Sequence, residues 1–315
     1  MKSIYLISSI TENSHGGIKS LAILLLKIYR EKILSLNPSR SKIEFLKSIF
    51  KDTNYIIIGY ADPAIYASIL LFLFARGRII YIPCYHPSDT MRRRFLAKIY
   101  EKTIFKIYLN AKFVVCLSEN EVNLLKKLNS KGNFIYIPMS TALTHSILSE
   151  KEKLVRNKIL FVGRDDLNKN LDEYIRVAEN LKKIMKNKYE FFVISDTNRT
   201  FPDWITQRKS LSDSELKIIY LSTAAILIPS KWESLSLVGI EAIQFGGKVI
   251  CNRNVMLSNL MDLYDTLILN NYDDIITVQA FLEKSINPDQ LRLFNDYFSE
   301  KQFIQKFECV VNNLT

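Results

Sequence analysis

The sequence predicts two α/β domains in one chain, each a parallel sheet covered by helices. Three observations carry this. Short apolar runs recur along the chain and alternate with longer segments of helical pattern, which is the arrangement of βαβ units. The alternation breaks once, at the polar, charged stretch Ser149 to Asn157, which divides the 315 residues into two parts of ordinary domain size. The chain is 48% hydrophobic, enough apolar material for each part to bury its own core. The expected domains are 1–148 and 149–298, followed by a terminal helical segment, 299–315.

In the first part, Ser3 to Ile7 reads as a buried strand. A polar loop then reaches His15-Gly16-Gly17 before an apolar helix from about Ile18 to Leu36. Glycines at a strand-to-helix turn let backbone N–H groups approach a ligand closely. A plain tight turn accounts for Gly16 and Gly17 equally well, since neither the dinucleotide G-x-G-x-x-G nor the P-loop spacing is present. Asn37-Pro38-Ser39-Arg40 leads to a short helix and leaves little room for extra strands. Further strands are expected at Tyr55–Ile58, Ile79–Pro83, Phe113–Leu117 and Phe134–Ile137, with helices at 63–75, 89–109 and 119–129. The apolar run Ala64 to Ala75 falls short of the ~20 residues of a membrane span and reads as a buried helix. His86, in Cys84-Tyr85-His86-Pro87-Ser88-Asp89, follows a strand at the sheet's carboxyl edge, where ligands of such sheets bind. A lone loop histidine is otherwise more often structural.

The second part opens with the strand Lys158–Val162 and the loop Gly163 to Asn170, where Asn170 and Glu173 have the spacing of a capping box. Arg164 and Lys169 bracket this loop. They either point into one crevice, where fixed cations favour an anionic ligand, or pair with Asp165, Asp166 or Asp172 on the surface. The strand Glu190–Ile194 is followed by the polar loop Ser195 to Arg199, and a capping box at Ser212 and Glu215 opens a helix to Leu221. The apolar run Ala224 to Ile228 stops at Pro229. A loop leads from there into a helix that starts near Ser236 and ends at Gly246-Gly247, before the strand Val249–Cys251. Glu233 sits in the loop and Glu241 about a turn and a half inside the helix. The two carboxylates thus flank one crevice beside the N–H groups of a helix N-terminus, offering acceptors to hydroxyls and donors to an anion. Weaker helices are expected at 256–263, 274–285, 288–296 and 299–313.

The net charge of +11 lies entirely in the first half: residues 1–150 hold 21 Lys and Arg against 10 Asp and Glu, while 151–315 hold 22 of each. Much of the excess falls in 91–106, where Arg92, Arg93, Arg94, Lys98, Lys102 and Lys106 interleave with Phe95, Leu96, Ile99, Tyr100, Ile104 and Phe105. That composition suits a helix resting on an anionic membrane surface, and equally an ordinary helix with an apolar core face and a solvated basic face. No nucleic-acid recognition motif accompanies the charge, so nucleic acid is not an expected partner. The four cysteines form no C-x-x-C pair and have no histidines at ligand spacing, so reduced thiols and no structural zinc are expected. No signal peptide is recognised at Met1-Lys2, and a soluble or surface-attached protein follows.

Pro229-Ser230, then Glu233 and Glu241 with seven residues between them, then Ala242 and a glycine, form an ordered run. It resembles retaining GT-B glycosyltransferases, most closely glycosyltransferase family 4. Gly163-Arg164, with Lys169 five positions after the arginine, resembles the same family's diphosphate clamp. The resemblance covers nearly the whole chain, specifically over 158–251 and loosely over 1–140. It implies two Rossmann-like domains facing a central cleft, with the terminal helix packing back on the first. The implied reaction transfers a sugar from a nucleotide-diphosphate sugar, with retention and without metal or cofactor, to a glycan or lipid-linked hydroxyl. Bacterial surface polysaccharide or glycolipid synthesis on the cytoplasmic face of the membrane is the implied setting.

By the same resemblance, Arg164 and Lys169 hold the diphosphate and Glu241 the ribose. Glu233 with the backbone of Ser234, Leu235, Ser236 and Leu237 holds the sugar, His86 lies near it, and Gly16 and Gly17 face phosphates and acceptor. Trp204 to Ser210 is implied to lie beside the base through backbone atoms. The chain departs from the family at Ser195–Arg199, where a Gly-x-Gly turn is usual, and at Ser234 and Ser236, which replace glycines. Two alternatives stay open, a catalytically silent GT-B subunit and a sugar-nucleotide epimerase of related fold. The paired carboxylates of a glycosidase are not recognised.

Overall fold

The structure, a computed structural model, describes residues 4–8, 17–29, 33–36, 42–51, 53–60, 65–66, 68–88, 91, 94–141, 155–186, 188–209, 211–255, 264 and 266–314. Gly16, the interdomain stretch Ser149 to Leu154, Asp89, Arg92, Arg93 and the expected helix at 256–263 lie outside them. The chain forms two compact units, one of Met1–Ala142 with Phe298–Thr315 and the other of Leu143–Tyr297.

The first unit is built on a parallel six-stranded sheet in the order β2-β1-β3-β4-β5-β6. Its elements in chain order are β1 (Ile4–Ile7), α1 (Gly17–Ile28), β2 (Ile33–Leu36), α2 (Lys42–Ile49), β3 (Asn54–Ile58) and α3 (Ile69–Phe74). A short 3₁₀ turn at Arg76–Arg78 precedes β4 (Ile79–Ile82), α4 (Arg94–Lys102), α5 (Ile104–Tyr108), β5 (Phe113–Cys116), α6 (Glu119–Leu128) and β6 (Phe134–Tyr136). Every residue of β1, β3 and β4 is buried, which is why these strands read as continuous apolar runs rather than alternating ones.

Three expectations are corrected here. The helix from Ile18 stops at Ile28, and Ile33–Leu36 is a strand pairing parallel with β1, residue Ile4 opposite Ile33. A four-residue apolar run carries no period that separates strand from helix, and the free edge of β1 decides it. Of the helix expected over 89–109, the described part is two helices, Arg94–Lys102 and Ile104–Tyr108, broken at Thr103, whose hydroxyl donates to the Ile99 carbonyl at 2.6 Å. The run Ala64 to Ala75 is not wholly buried, for Leu73 and Phe74 are 59% and 73% exposed.

The second unit repeats the plan with β7 (Lys158–Val162), α7 (Leu171–Met185), β8 (Glu190–Ile194), β9 (Ile205–Arg208), α8 (Asp213–Leu221), β10 (Thr223–Ile228), α9 (Leu237–Gln244), β11 (Lys248–Cys251), β12 (Thr266–Ile268), α10 (Ile275–Glu283) and α11 (Pro288–Tyr297). The sheet order is β12-β11-β10-β7-β8-β9, all parallel. Strands β9 and β12 are additions to the expected set. β9 reads Ile205-Thr206-Gln207-Arg208, one buried residue among polar ones at a sheet edge, which gives no apolar run to detect. The core beneath α7 and α10 includes Phe161, Tyr174, Val177, Phe191, Leu227, Ile250 and Val278.

The chain ends in α12 (Glu300–Asn312), which belongs to the first unit. Its Phe307 ring lies 6.2 Å from that of Tyr29, and Lys27 on α1 pairs with Glu300 at 2.9 Å. The apolar face Phe303, Phe307, Val310 and Val311 is buried.

Candidate active site

In the second sheet the strand order reverses between β7 and β10. The first connections run outward from β7 through β8 to β9, and the later ones from β10 to β12 on its other side. Ligands of open parallel sheets bind outside the carboxyl ends of the strands flanking such a switch point. The loop after β7 is Gly163 to Asn170 and the loop after β10 is Pro229 to Ser236, so the fold itself brings Arg164, Lys169 and Glu233 to one edge.

These two loops are stitched together. Asn168 accepts the Lys231 N–H on its carbonyl at 2.8 Å and donates its side-chain amide to the Trp232 carbonyl at 3.0 Å. The Asn170 amide reaches the Pro229 carbonyl at 3.4 Å. Across this seam the Lys169 ammonium pairs with a Glu233 oxygen at 2.5 Å, and the Ser230 hydroxyl donates to the same oxygen at 2.7 Å. The pair is mostly enclosed, with the side chains 21% and 10% exposed. Glu233 is further fixed by its backbone, whose N–H donates to the Asn254 carbonyl, and by a bridge to Val255.

The capping box expected at Asn170 does not form. Asn170 takes a left-handed conformation with φ of 56° and makes no side-chain cap, while Glu173 turns to Arg176. Asp166 organises the loop instead, accepting the N–H groups of Asn168 and Lys169 at 3.0 and 2.8 Å. Asp166 also pairs with Arg164 at 3.1 Å, on a guanidinium side chain that is 83% exposed. Arg164 is therefore a solvated cation at the mouth of the loop, whereas Lys169 is held inside it.

Helix α9 begins after Ser236, which occupies the N-cap position without capping: its hydroxyl is buried and has no hydrogen-bond partner. Gly239 and Ile240 donate to the Ser236 carbonyl, so the ladder starts there, and the helix N-terminus lies at the carboxyl edge beside Glu233. Leu235 and Ser236 are buried; Ser234 and Leu237 are partly exposed. Glu241 is partly exposed and accepts the Tyr220 phenol at 2.8 Å. Burial pushes the Glu241 carboxyl up to about 7, with Asp213 adding to the rise and the Tyr220 hydrogen bond opposing it. Sequence patterning does not single out Tyr220, because a tyrosine at the end of an amphipathic helix gives no local signal that its hydroxyl meets a glutamate 21 residues on.

After β8, the loop that departs from the family turns back on itself. Gln207 donates to the carbonyls of Ser195 and Thr197, Thr197 donates to Asp165 at 2.9 Å, and Arg199 pairs with Asp172. Polar side chains thus fill the place where a glycine turn would leave bare backbone.

In the first unit, Gly17 is the first residue of α1, after β1. His86 is partly exposed, four residues beyond β4. The loop that carries it is held tightly: Cys84 sits at φ of 46°, and Glu121, fully buried, accepts the N–H groups of Tyr85 and Leu117, each at 2.7 Å. The Tyr85 phenol bonds to Glu101, and its ring stacks on Phe105 at 5.5 Å. Burial pushes Glu121 up to about 7, against the pull of its two backbone donors.

All four cysteines are free. Among the described residues, no three or more His, Cys, Asp or Glu stand together to hold a metal, and no helix is long and apolar enough to cross a membrane.

The second unit is thus doubly wound, with Arg164, Lys169 and Glu233 in the two loops at its switch point and Glu241 in the helix that follows. Residues 146–276 match the family model described as glycosyl transferases group 1. The whole chain has the GT-B fold. It superposes on sucrose-phosphate synthase from Thermosynechococcus elongatus with a TM-score of 0.70 at 14% identity, covering 100% of this chain and 99% of the other. The apo structure of OtsA gives a TM-score of 0.71 at 13% identity, again over 100% and 99% of the two chains. Among curated sequences, an uncharacterised 41.2 kDa protein in the cps region of Klebsiella pneumoniae is 31% identical over 145 residues, covering 42% of this chain and 37% of that one. O-antigen chain mannosyltransferase B of Escherichia coli is 21% identical over 239 residues, covering 68% and 60%. The chain thus spans between about a third and three-fifths of the length of these two relatives.

Proposed function

We propose that the protein is a retaining glycosyltransferase that moves a sugar from a nucleotide-diphosphate sugar to a hydroxyl of a glycan or lipid-linked acceptor, in bacterial surface polysaccharide or glycolipid synthesis. The observation that carries this is the Lys169–Glu233 pair at 2.5 Å, at the switch point and beside the N-terminus of α9, with Arg164 at the mouth of the same loop. Departure of the nucleoside diphosphate develops negative charge on the leaving oxygen. Lys169, held in its loop, and the free N–H groups of the helix N-terminus are pre-oriented donors for that charge, and Arg164 adds a solvated cation at the mouth.

In this mechanism the acceptor hydroxyl attacks from the face the diphosphate is leaving, through an oxocarbenium-like transition state. The departing phosphate oxygen takes the hydroxyl's proton, so no separate base is required. Lys169 and Arg164 hold the diphosphate without a metal; Glu241 accepts the ribose hydroxyls; Glu233, steadied by Ser230, accepts sugar hydroxyls beside the Ser234–Leu237 backbone. The resemblance assigns His86, Gly16 and Gly17 to the sugar and acceptor side. The names of relatives make mannose the first sugar to test, since O-antigen chain mannosyltransferases of Escherichia coli and Salmonella typhimurium are among them.

The acceptor side is proposed to rest on an anionic membrane surface through 91–106. On α4, Phe95, Leu96 and Ile99 are 75%, 56% and 46% exposed. Arg94, Lys98 and Lys102 are exposed beside them, while the one acid of that helix, Glu101, is buried against Tyr85. Apolar side chains free to insert, ringed by cations, match what such a surface offers.

The test of the reaction is incubation with UDP-, GDP- and TDP-sugars, read for binding and slow donor hydrolysis. Binding of one donor with release of its diphosphate supports the proposal; neither binding nor hydrolysis with any of them overturns it.

A further inference from the structure

We infer that Tyr220 is a positioning residue for the nucleotide's ribose: its phenol orients Glu241 so that the free carboxylate oxygen and the remaining lone pairs face the two ribose hydroxyls. The inference rests on the donor-site assignment above and adds to it a residue that does not touch the donor.

Tyr220 is the penultimate residue of α8, a helix anchored at its other end by the Ser212 and Glu215 capping box. The side chain is fully buried, and its ring lies parallel to that of Phe245 at 5.8 Å with 8° between the planes. Phe245 is the C-cap of α9, the helix that carries Glu241, and its carbonyl accepts from the Arg156 guanidinium at 2.5 Å. Arg156 also donates to the Thr223 carbonyl at the start of β10. The phenol therefore has one rigid position, 2.8 Å from Glu241 Oε2.

Glu241 needs such a partner. Asp213 raises its carboxyl further, and Tyr220 is its one side-chain donor among the described residues. A hydroxyl that donates to one oxygen fixes the carboxylate plane and favours the ionised form, leaving the other oxygen's acceptor capacity for a vicinal diol. Without it, the carboxylate is free to rotate or to take up a proton, and binding of the diol loses both geometry and charge.

The experiment compares Tyr220→Phe with wild type for a ribonucleotide donor, such as a UDP-sugar that the protein binds, and its 2′-deoxy counterpart. Phenylalanine preserves the ring stack on Phe245, and circular dichroism checks that the fold is retained. The expected result is a roughly tenfold weaker affinity for the ribo donor, little change for the deoxy donor, and a kcat near wild type. In a Glu241→Ala background, the same Tyr220→Phe change should have no further effect, because the two residues act as one unit. Equal losses for both donors, or a full further loss in the Glu241→Ala background, would mean that Tyr220 acts through packing and would overturn the inference. If wild type binds no nucleotide sugar, the donor-site assignment itself fails, and this inference with it.

Discussion

Replacing Lys169 by methionine separates a site pair from a structural one. The substitution keeps the length of the side chain and removes its charge, leaving Glu233, with its side chain 10% exposed, facing only the Ser230 hydroxyl. Breaking one side of a fully buried pair costs about 3–5 kcal/mol. Lys169 is 21% exposed, so water takes up part of that loss and about 1–3 kcal/mol is expected. For a unit of this size, that corresponds to a fall of roughly 3–10 °C in Tm. Adding Glu233→Gln removes the stranded charge and keeps an acceptor for Ser230, so the double variant should regain most of the lost stability. Donor affinity behaves differently, and should be lost in both variants. Thermal unfolding by circular dichroism and titration with the bound nucleotide sugar read the two effects separately. If Lys169→Met leaves Tm unchanged, or if the double variant binds donor like wild type, the pair does not do what is argued here.

Three further outcomes follow from particular contacts. Burial pushes both Glu121 and Glu241 up to about 7. Their neutral forms suit the folded state, so stability is greatest below the ordinary carboxyl range and falls as pH rises through about 7; Glu121→Gln should flatten the dependence of Tm on pH between 5 and 8. Gly246 sits at φ of +80°, and a Cβ there would lie 2.7 Å from the Arg156 guanidinium, so Gly246→Ala should cost about 1–2 kcal/mol in denaturant unfolding. Flotation with liposomes should require anionic lipid and weaken when Arg92, Arg93 and Arg94 are neutralised; flotation independent of both would remove the membrane proposal.

Most of the second unit was legible because its local signals agree with one another. The Ser212 and Glu215 capping box, the stop at Pro229 and the Gly246-Gly247 helix end each correspond to a described boundary. The first unit was less legible. Ile33–Leu36 is a strand only because β1 offers it an edge, and nothing within four residues encodes that. At the site, spacing indicated which residues converge but not what they touch. Asn170 and Glu173 have capping-box chemistry, yet the pull of the Pro229 carbonyl and the left-handed turn at Asn170 win. Arg164 and Lys169, alike in sequence, differ in the structure: one is solvated against Asp166 and the other enclosed against Glu233. Tyr220 and Glu121 act over long separations in the chain, beyond the reach of any motif.

The loops after β7 and β10 are proposed to form a donor site for a nucleotide-diphosphate sugar. Mass spectrometry of the protein incubated with a panel of UDP-, GDP- and TDP-sugars, GDP-mannose among them, tests it most directly. One donor should bind, its nucleoside diphosphate should accumulate slowly, and Lys169→Met should abolish both. Intact donors throughout and no bound nucleotide sugar in any sample would contradict it.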